Sequence, residues 1–250
     1  MFNRLTDEIH EHWSHKFLDV ICNDGRALIS YTGIGRLNFD LGSPDISEWM
    51  ANQLEGNAVS VPNTVKCLQD VASRHLMKYR TPHIFTVAAF IQGQLWVFEV
   101  SNVKLDVDWS DTALLRSFCV YGGQVTDRPL VLVRGARAAV SKADWKLLRE
   151  ETKQRPRRPK KFLKLLARVN KRSSEHERYG KFISRECSVS YMPANGDGVV
   201  AKGFAWGNES MPWSTVAPPR LFFGMNMTSF LREDVKRFSE TLQHSQTETR

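Results

Sequence analysis

Two pairs of apolar runs, each joined by tight-turn residues, constrain the fold of this chain more than any other feature. Phe17–Cys22 and residues 27–31 flank Asn23-Asp24-Gly25, and Ile84–Ile91 and residues 95–100 flank Gln92-Gly93. Gly, Asn and Asp favour a β-hairpin at such positions, because tight hairpin turns need positive φ angles. We therefore predict that each pair of runs forms two antiparallel strands.

Helical and strand patterns alternate along the rest of the chain. Apolar residues recur at helical spacing in Ile46–Leu54, with Asp45 or Ser47 as cap, and in residues 63–79, with Asn63 or Thr64 as cap. Residues 114–121 and 184–192 are predicted strands. Further helices are predicted at residues 124–133, opened by Gly122-Gly123, after Ser141, and from about Phe162. Such a mixture predicts an α+β fold with sheets between helical layers.

The order of these segments resembles the proteasome-like branch of the N-terminal-nucleophile (Ntn) hydrolases over about residues 4–196. The matching segments are Arg4-Leu5-Thr6, Lys16-Phe17-Leu18, Thr32-Gly33-Ile34-Gly35, Phe118-Cys119-Val120-Tyr121-Gly122-Gly123 and residues 183–196. The resemblance implies a four-layer αββα sandwich. The region matching the family's first strand is absent, so we expect an N-terminally truncated Ntn-hydrolase-like domain over residues 1–198. Residues 199–250 are predicted to form an irregular C-terminal extension with a terminal helix and a disordered tail.

The resemblance also implies where catalytic groups would stand. In these hydrolases a Thr, Ser or Cys at position one attacks an amide carbonyl, and its own α-amine acts as the base. Lys16 falls at the catalytic lysine, and Gly33 falls at the glycine whose N–H forms the oxyanion hole. Position one of this chain is Met1, which has neither hydroxyl nor thiol. Gly122-Gly123 and residues 175–180 also lack the supporting Ser and Asp that the family usually has there.

Two hypotheses follow from the resemblance. The first is a non-catalytic proteasome-like homologue that acts as an assembly or binding protein and has no Ntn-type hydrolase activity as written. The second is an active amidase or peptidase whose nucleophile lies upstream of Met1. Because the family tends to form rings, the resemblance implies a homo-oligomer, and it implies no cofactor.

A basic segment suggests a third hypothesis, a polyanion- or nucleic-acid-binding module. Residues 149–172 contain eleven Lys and Arg and two acids, a surplus of +9, whereas the whole chain has a net charge of +8. We predict weak, sequence-independent polyanion binding, because such a patch attracts phosphates; the alternative is a solvated surface. The predicted binding residues are Arg155, Arg157, Arg158, Lys160 and Lys161.

Several other classes of protein are disfavoured by the sequence. No apolar stretch approaches the roughly 20 residues that span a bilayer, and no signal-peptide pattern opens the chain, so we expect a cytoplasmic protein that does not bind membranes. The four cysteines form no CxxC pair, which favours buried thiols. The histidines 10, 12 and 15 and the aspartates 106, 108 and 111 match no established ligand pattern, so we predict no metal site.

Overall fold

The computed structural model describes residues 16–33, 45–104, 113–126, 131–134, 137–153, 159–180, 183, 187–193, 200–204 and 219–227. Within them the chain forms an α+β fold. The strands are β1 (Phe17–Cys22), β2 (Gly25–Thr32), β3 (Ile84–Ile91), β4 (Gln94–Val103), β5 (Leu114–Gln124), β6 (Cys187–Tyr191), β7 (Val200–Phe204), β8 (Arg220–Phe222) and β9 (Met225–Asn226). The helices are α1 (Ile46–Leu54), α2 (Val61–His75), α3 (Lys142–Lys153) and α4 (Pro159–Ser174).

Seven of the strands form one open sheet in the order β5-β4-β3-β2-β1-β8-β9. All neighbours are antiparallel except β1 and β8, which are parallel. Both predicted hairpins are confirmed: Phe17 pairs with Ser30 across the first, and Ile84 pairs with Ser101 across the second. Strands β6 and β7 form a separate antiparallel pair.

Helices α1 and α2 contribute to a single apolar core with the large sheet. Leu18 and Ile29 of the first hairpin are fully buried in the same cluster as Met50 of α1 and Leu68 of α2. The predicted bounds of α1 are confirmed. Helix α2 begins two residues earlier than predicted, and its cap is Ser60 rather than Asn63 or Thr64, because the Ser60 hydroxyl accepts a hydrogen bond from the backbone N–H of Asn63.

Gly122-Gly123 lies inside β5 and does not open a helix, so the helix predicted at residues 124–133 is wrong where the structure describes it. Gln124 still pairs with Trp96 of β4, and residues 131–134 are not helical. A Cβ atom at Gly122 would collide with the carbonyl oxygen of Val97. Gly122 is therefore required for the close approach of β4 and β5. A glycine in the sequence can mark either such an approach or a strand-to-helix turn, so the sequence alone does not distinguish the two.

Helices α3 and α4 are joined at one end by a capping network. The Ser141 hydroxyl accepts from the backbone N–H of Asp144 and donates to its carboxylate, at 3.1 and 2.8 Å, which confirms Ser141 as the cap of α3. Asp144 is buried and forms an ion pair with Arg172 in the last turn of α4. Helix α4 also packs against β6.

The chain after residue 198 supplies strands to both sheets. Strand β7 pairs with β6, and β8 extends the large sheet by pairing in parallel with β1, where Val20 is opposite Leu221. In the part of the chain that the structure describes, no helix has the length and apolar character needed to cross a membrane.

Candidate functional site

Lys16 and Gly33, which the resemblance singled out, lie next to each other at one end of the first hairpin. The backbone N–H of Tyr31 donates to the carbonyl of Lys16 at 2.7 Å, so the pairing of β1 and β2 continues to this point. The Lys16 Nζ atom lies 3.4 Å from the carbonyl oxygen of Gly33, which follows the last residue of β2. Strand register therefore brings together an exposed ammonium group and a glycine backbone that are 17 residues apart.

A buried histidine lies directly beneath Gly33. His83, just before β3, has no exposed surface, and its Nδ1 atom lies 2.5 Å from the Tyr31 hydroxyl. A Cβ atom at position 33 would collide with the Tyr31 hydroxyl and would lie 3.0 Å from His83 Nδ1. Only glycine brings the backbone this close to the pair without a steric conflict.

The second ring nitrogen of His83 also has a partner. The Nε2 atom lies 3.0 Å from the Thr81 hydroxyl. Asn102 of β4 fixes the segment that carries both residues, because its Oδ1 accepts from the backbone N–H of His83 at 2.7 Å and its Nδ2 donates to the carbonyl of Thr81 at 2.9 Å. Tyr31, Thr81, His83 and Asn102 thus form one hydrogen-bonded unit, which we call the His83 network.

Burial makes His83 neutral at physiological pH. Its ring lies 5.9 to 6.4 Å from the rings of Tyr31, Phe118 and Tyr79, and desolvation lowers its pKa from 6.5 to about 4. A neutral imidazole has one donor and one acceptor, and two hydroxyl partners can satisfy both. Within the described residues, the hydrogen-bond partners of His83 are Tyr31, Thr81 and Asn102, none of which carries a carboxylate.

Two further buried ionic groups lie elsewhere in the large sheet. Asp19 of β1 is fully buried and binds Arg26 through two hydrogen bonds of 3.0 and 2.7 Å and Arg220 through one of 2.7 Å. Glu99 of β4 forms a two-pronged ion pair with Arg134 beside a shallow cavity of about 250 Å³. Each carboxylate is paired, so both groups are consistent with structural ties between neighbouring elements.

The predicted polyanion-binding residues are only partly visible in the structure. Arg155, Arg157 and Arg158 lie outside the described residues. Lys160 belongs to the first turn of α4. Lys161 is exposed, and its Nζ atom lies 3.7 Å from a carboxylate oxygen of Glu151. Of this group, the structure thus places only Lys161 by its side chain.

Sequence reasoning missed the His83 network. The available signals were a lone histidine after Thr81-Pro82 at the start of a strand, and a tyrosine at the end of another. Neither signal indicates that the two strands are neighbours, which is what brings Tyr31 and His83 together. In the described part of the chain, no group of three His, Cys, Asp or Glu side chains is arranged to hold a metal ion.

Comparison with known proteins identifies no relative of this chain. No protein-family model matches it, and neither does any curated protein or any solved structure.

Proposed function

We propose that this chain is a proteasome-like Ntn-hydrolase homologue with the four-layer αββα architecture. The order of elements supports the proposal: a hairpin, two helices, a three-stranded meander, two helices and a further strand pair. Helices α1 and α2 pack on the large sheet, and α4 packs on β6. In the proposed architecture the large sheet and the β6–β7 pair form the two inner layers.

The approach of Lys16 to Gly33 carries the functional proposal. In the resembled hydrolases a lysine ammonium lowers the pKa of the nucleophile, and a glycine N–H stabilises the oxyanion of the tetrahedral intermediate. Those two roles require the lysine and the glycine to stand at adjacent strand ends. The 3.4 Å distance between Lys16 Nζ and the Gly33 carbonyl oxygen supports the proposal, because it places the two residues side by side.

We further propose that the site binds rather than cleaves. Residues 122–123 are both glycine, where the resembled family often supplies a serine. Residues 175–180 are Glu, His, Glu, Arg, Tyr and Gly, so the Asp and Ser that steady a nucleophile are not supplied there. The alternative is an amidase or peptidase whose Thr, Ser or Cys nucleophile precedes Met1; its free α-amine would take the proton from that nucleophile.

The N-terminus of the native protein distinguishes these two functions. Mass spectrometry of protein isolated from its own cells identifies that N-terminus, and the purified chain should not hydrolyse fluorogenic peptide amides. A native N-terminal Thr, Ser or Cys would contradict the proposal. So would peptide turnover that Lys16→Ala abolishes and that the matched surface change Lys66→Ala leaves intact.

The resemblance further suggests assembly into a homo-oligomer. Sedimentation equilibrium of the purified chain over a hundredfold concentration range tests this part of the proposal. A mass that remains at 28.6 kDa throughout would contradict it.

A further inference from the structure

A basic cleft lies along α3, outside the His83 network and outside the predicted Arg155–Lys161 run. It has a volume of about 430 Å³, and Trp145 and Glu150 contribute to its walls. Its basic residues are Arg137, Lys142, Lys146, Arg149 and Lys153. All five basic residues are exposed. We call this feature the α3 cleft.

Helix geometry sets four of the cations in a row. Lys142, Lys146, Arg149 and Lys153 are spaced by four, three and four residues, so they share one face of α3. At a rise of 1.5 Å per residue, the row is about 16 Å long. The buried residues of the same helix are Leu148 and Asp144, and Asp144 is tied to Arg172 of α4. This packing keeps the basic row directed away from the core.

Trp145 restrains two of the guanidinium groups. The Cζ atoms of Arg137 and Arg149 lie over its ring, 5.4 and 5.6 Å from the centroid. Such cation–π contacts favour arginine rotamers in which the guanidinium group lies over the ring. They also connect the short 3₁₀ turn at Arg137–Ala139 with α3, so that the cleft has cations on two elements.

The positive charge of the cleft is not neutralised by its own carboxylate. Among the described residues that line the cleft, Glu150 is the one acidic residue. Its Oε1 atom lies 3.9 Å from Lys146 Nζ, and the two side chains are 53% and 78% exposed. Exposed ion pairs of this kind are weak and are screened by salt, so they compete weakly with an external anion.

We propose that the α3 cleft binds the phosphodiester backbone of a nucleic acid without reading its bases. A row about 16 Å long exceeds one phosphate group and suits several consecutive ones. Arginine guanidinium groups bind phosphate oxygens with two parallel hydrogen bonds, and those of Arg137 and Arg149 are already oriented. The described residues that line the cleft include no Asn or Gln to pair with adenine, and the Trp145 ring is occupied by arginine rather than open to a stacked base.

The test measures binding of the full chain to a fluorescein-labelled 20-base-pair DNA duplex by anisotropy, from 50 to 200 mM NaCl. The cleft variant carries Lys142→Gln, Lys146→Gln and Arg149→Gln. The matched control carries Lys66→Gln, Arg74→Gln and Lys78→Gln, which remove the same charge from exposed positions in and after α2. Circular dichroism verifies that both variants remain folded.

Wild type should bind with log K falling linearly against log salt concentration. The cleft variant should lose more than about tenfold in affinity at 100 mM NaCl, and its salt slope should be shallower by about 2.7, because each lost phosphate contact removes about 0.9. The control should remain within about twofold of wild type. The double variant Lys142→Gln/Lys146→Gln leaves both arginines on Trp145 and should show about two thirds of the change in slope.

Three results would overturn the proposal. They are failure of wild type to bind at 50 mM NaCl, equal losses in the cleft variant and the control, and a salt slope that the cleft variant leaves unchanged. A second duplex of different base composition should bind equally well. A preference above about tenfold between the two duplexes would overturn the claim that bases are not read.

Discussion

The Tyr31 hydroxyl lies 2.5 Å from Nδ1 of His83, and these two side chains are 4% and 0% exposed. The contact joins the end of β2 to the residue before β3, directly below the Gly33 backbone that Lys16 approaches. A polar pair in this position can be buried at low cost because each ring nitrogen of His83 has a hydroxyl partner. The His83 network therefore shapes the end of the sheet where the candidate site lies.

Burial of neutral His83 predicts a loss of stability in mild acid. The pKa of His83 is about 4 in the folded protein and about 6.5 in the unfolded chain, so the unfolded state binds more protons between these values. Stability should be fully present above pH 6.5 and should fall by about 3 kcal/mol as the pH decreases to 4. Urea unfolding at half-unit pH intervals measures this change.

Comparison of two histidine variants isolates the contribution of His83. His83→Gln should flatten the dependence between pH 6.5 and 5, where carboxylates titrate little, although the variant is less stable at pH 7. His75→Gln removes an exposed histidine and should retain the wild-type slope. Equal slopes in wild type and His83→Gln would show that His83 is not held neutral by the fold.

The two arginines on Asp19 should contribute unequally to stability. The Arg26 side chain is 8% exposed and donates two hydrogen bonds to the Asp19 carboxylate, whereas the Arg220 side chain is 45% exposed and donates one to the same carboxylate. Removal of Arg26 leaves buried Asp19 with Arg220, a partly exposed partner, so Arg26→Gln should lower the free energy of unfolding by about 3 kcal/mol. Arg220→Gln should lower it by about 1–2 kcal/mol.

Urea denaturation of both variants, with Lys66→Gln as the surface control, tests this order. Lys66 pairs with Asp70 across an exposed helix turn, and its removal should change stability by about 0.5 kcal/mol or less. An Arg220→Gln loss as large as that of Arg26→Gln would mean that the attachment of β8 to β1, rather than the solvation of Asp19, dominates the energetics.

Loss of the α1 cap should produce a smaller effect. Asp45 Oδ1 accepts hydrogen bonds from the backbone N–H groups of Ser47 and Glu48 at 3.0 and 2.9 Å. Asp45→Ala should destabilise the protein by about 1 kcal/mol, and Asp45→Asn, which retains an acceptor, by less. Thermal unfolding followed by circular dichroism gives both values, and equal losses would show that charge rather than capping is responsible.

Local patterns predicted most of the large sheet. The turns at Asn23-Asp24 and Gln92-Gly93 close both hairpins, and the spacing of apolar residues defines α1, because each of these signals acts within a few residues. The helix predicted after Gly122-Gly123 was wrong, because a glycine that permits two strands to approach closely cannot be distinguished in the sequence from a glycine that ends a strand.

Local sequence patterns could not predict features that depend on pairing between strands distant in the sequence. The three-residue strand β8 shows no periodicity, and it pairs with β1 about 200 residues away, where Arg220 also contacts Asp19. The His83 network depends in the same way on the β2–β3 register. Lys16 and Gly33 were named through the resemblance, and their proximity follows from a local hairpin, but their catalytic roles remain a prediction.

The lack of space for a side chain between Gly33 and the Tyr31–His83 pair underlies the last prediction. A methyl group at this position would collide with the Tyr31 hydroxyl and approach His83 Nδ1, and both side chains are held by buried neighbours that limit their retreat. Gly33→Ala should therefore lower the free energy of unfolding by about 1–3 kcal/mol, the usual effect of overpacking. Gly123→Ala is the control, because a Cβ there meets nothing within 4 Å, and it should change stability by about 0.5 kcal/mol or less. Urea unfolding measures both.

Because the displaced Tyr31 hydroxyl would weaken the contact with His83, Gly33→Ala should also alter the acid dependence between pH 6.5 and 5, whereas Gly123→Ala should not. A Gly33→Ala protein with wild-type stability and wild-type acid dependence would mean that the backbone at Gly33 does not rest on the Tyr31–His83 pair.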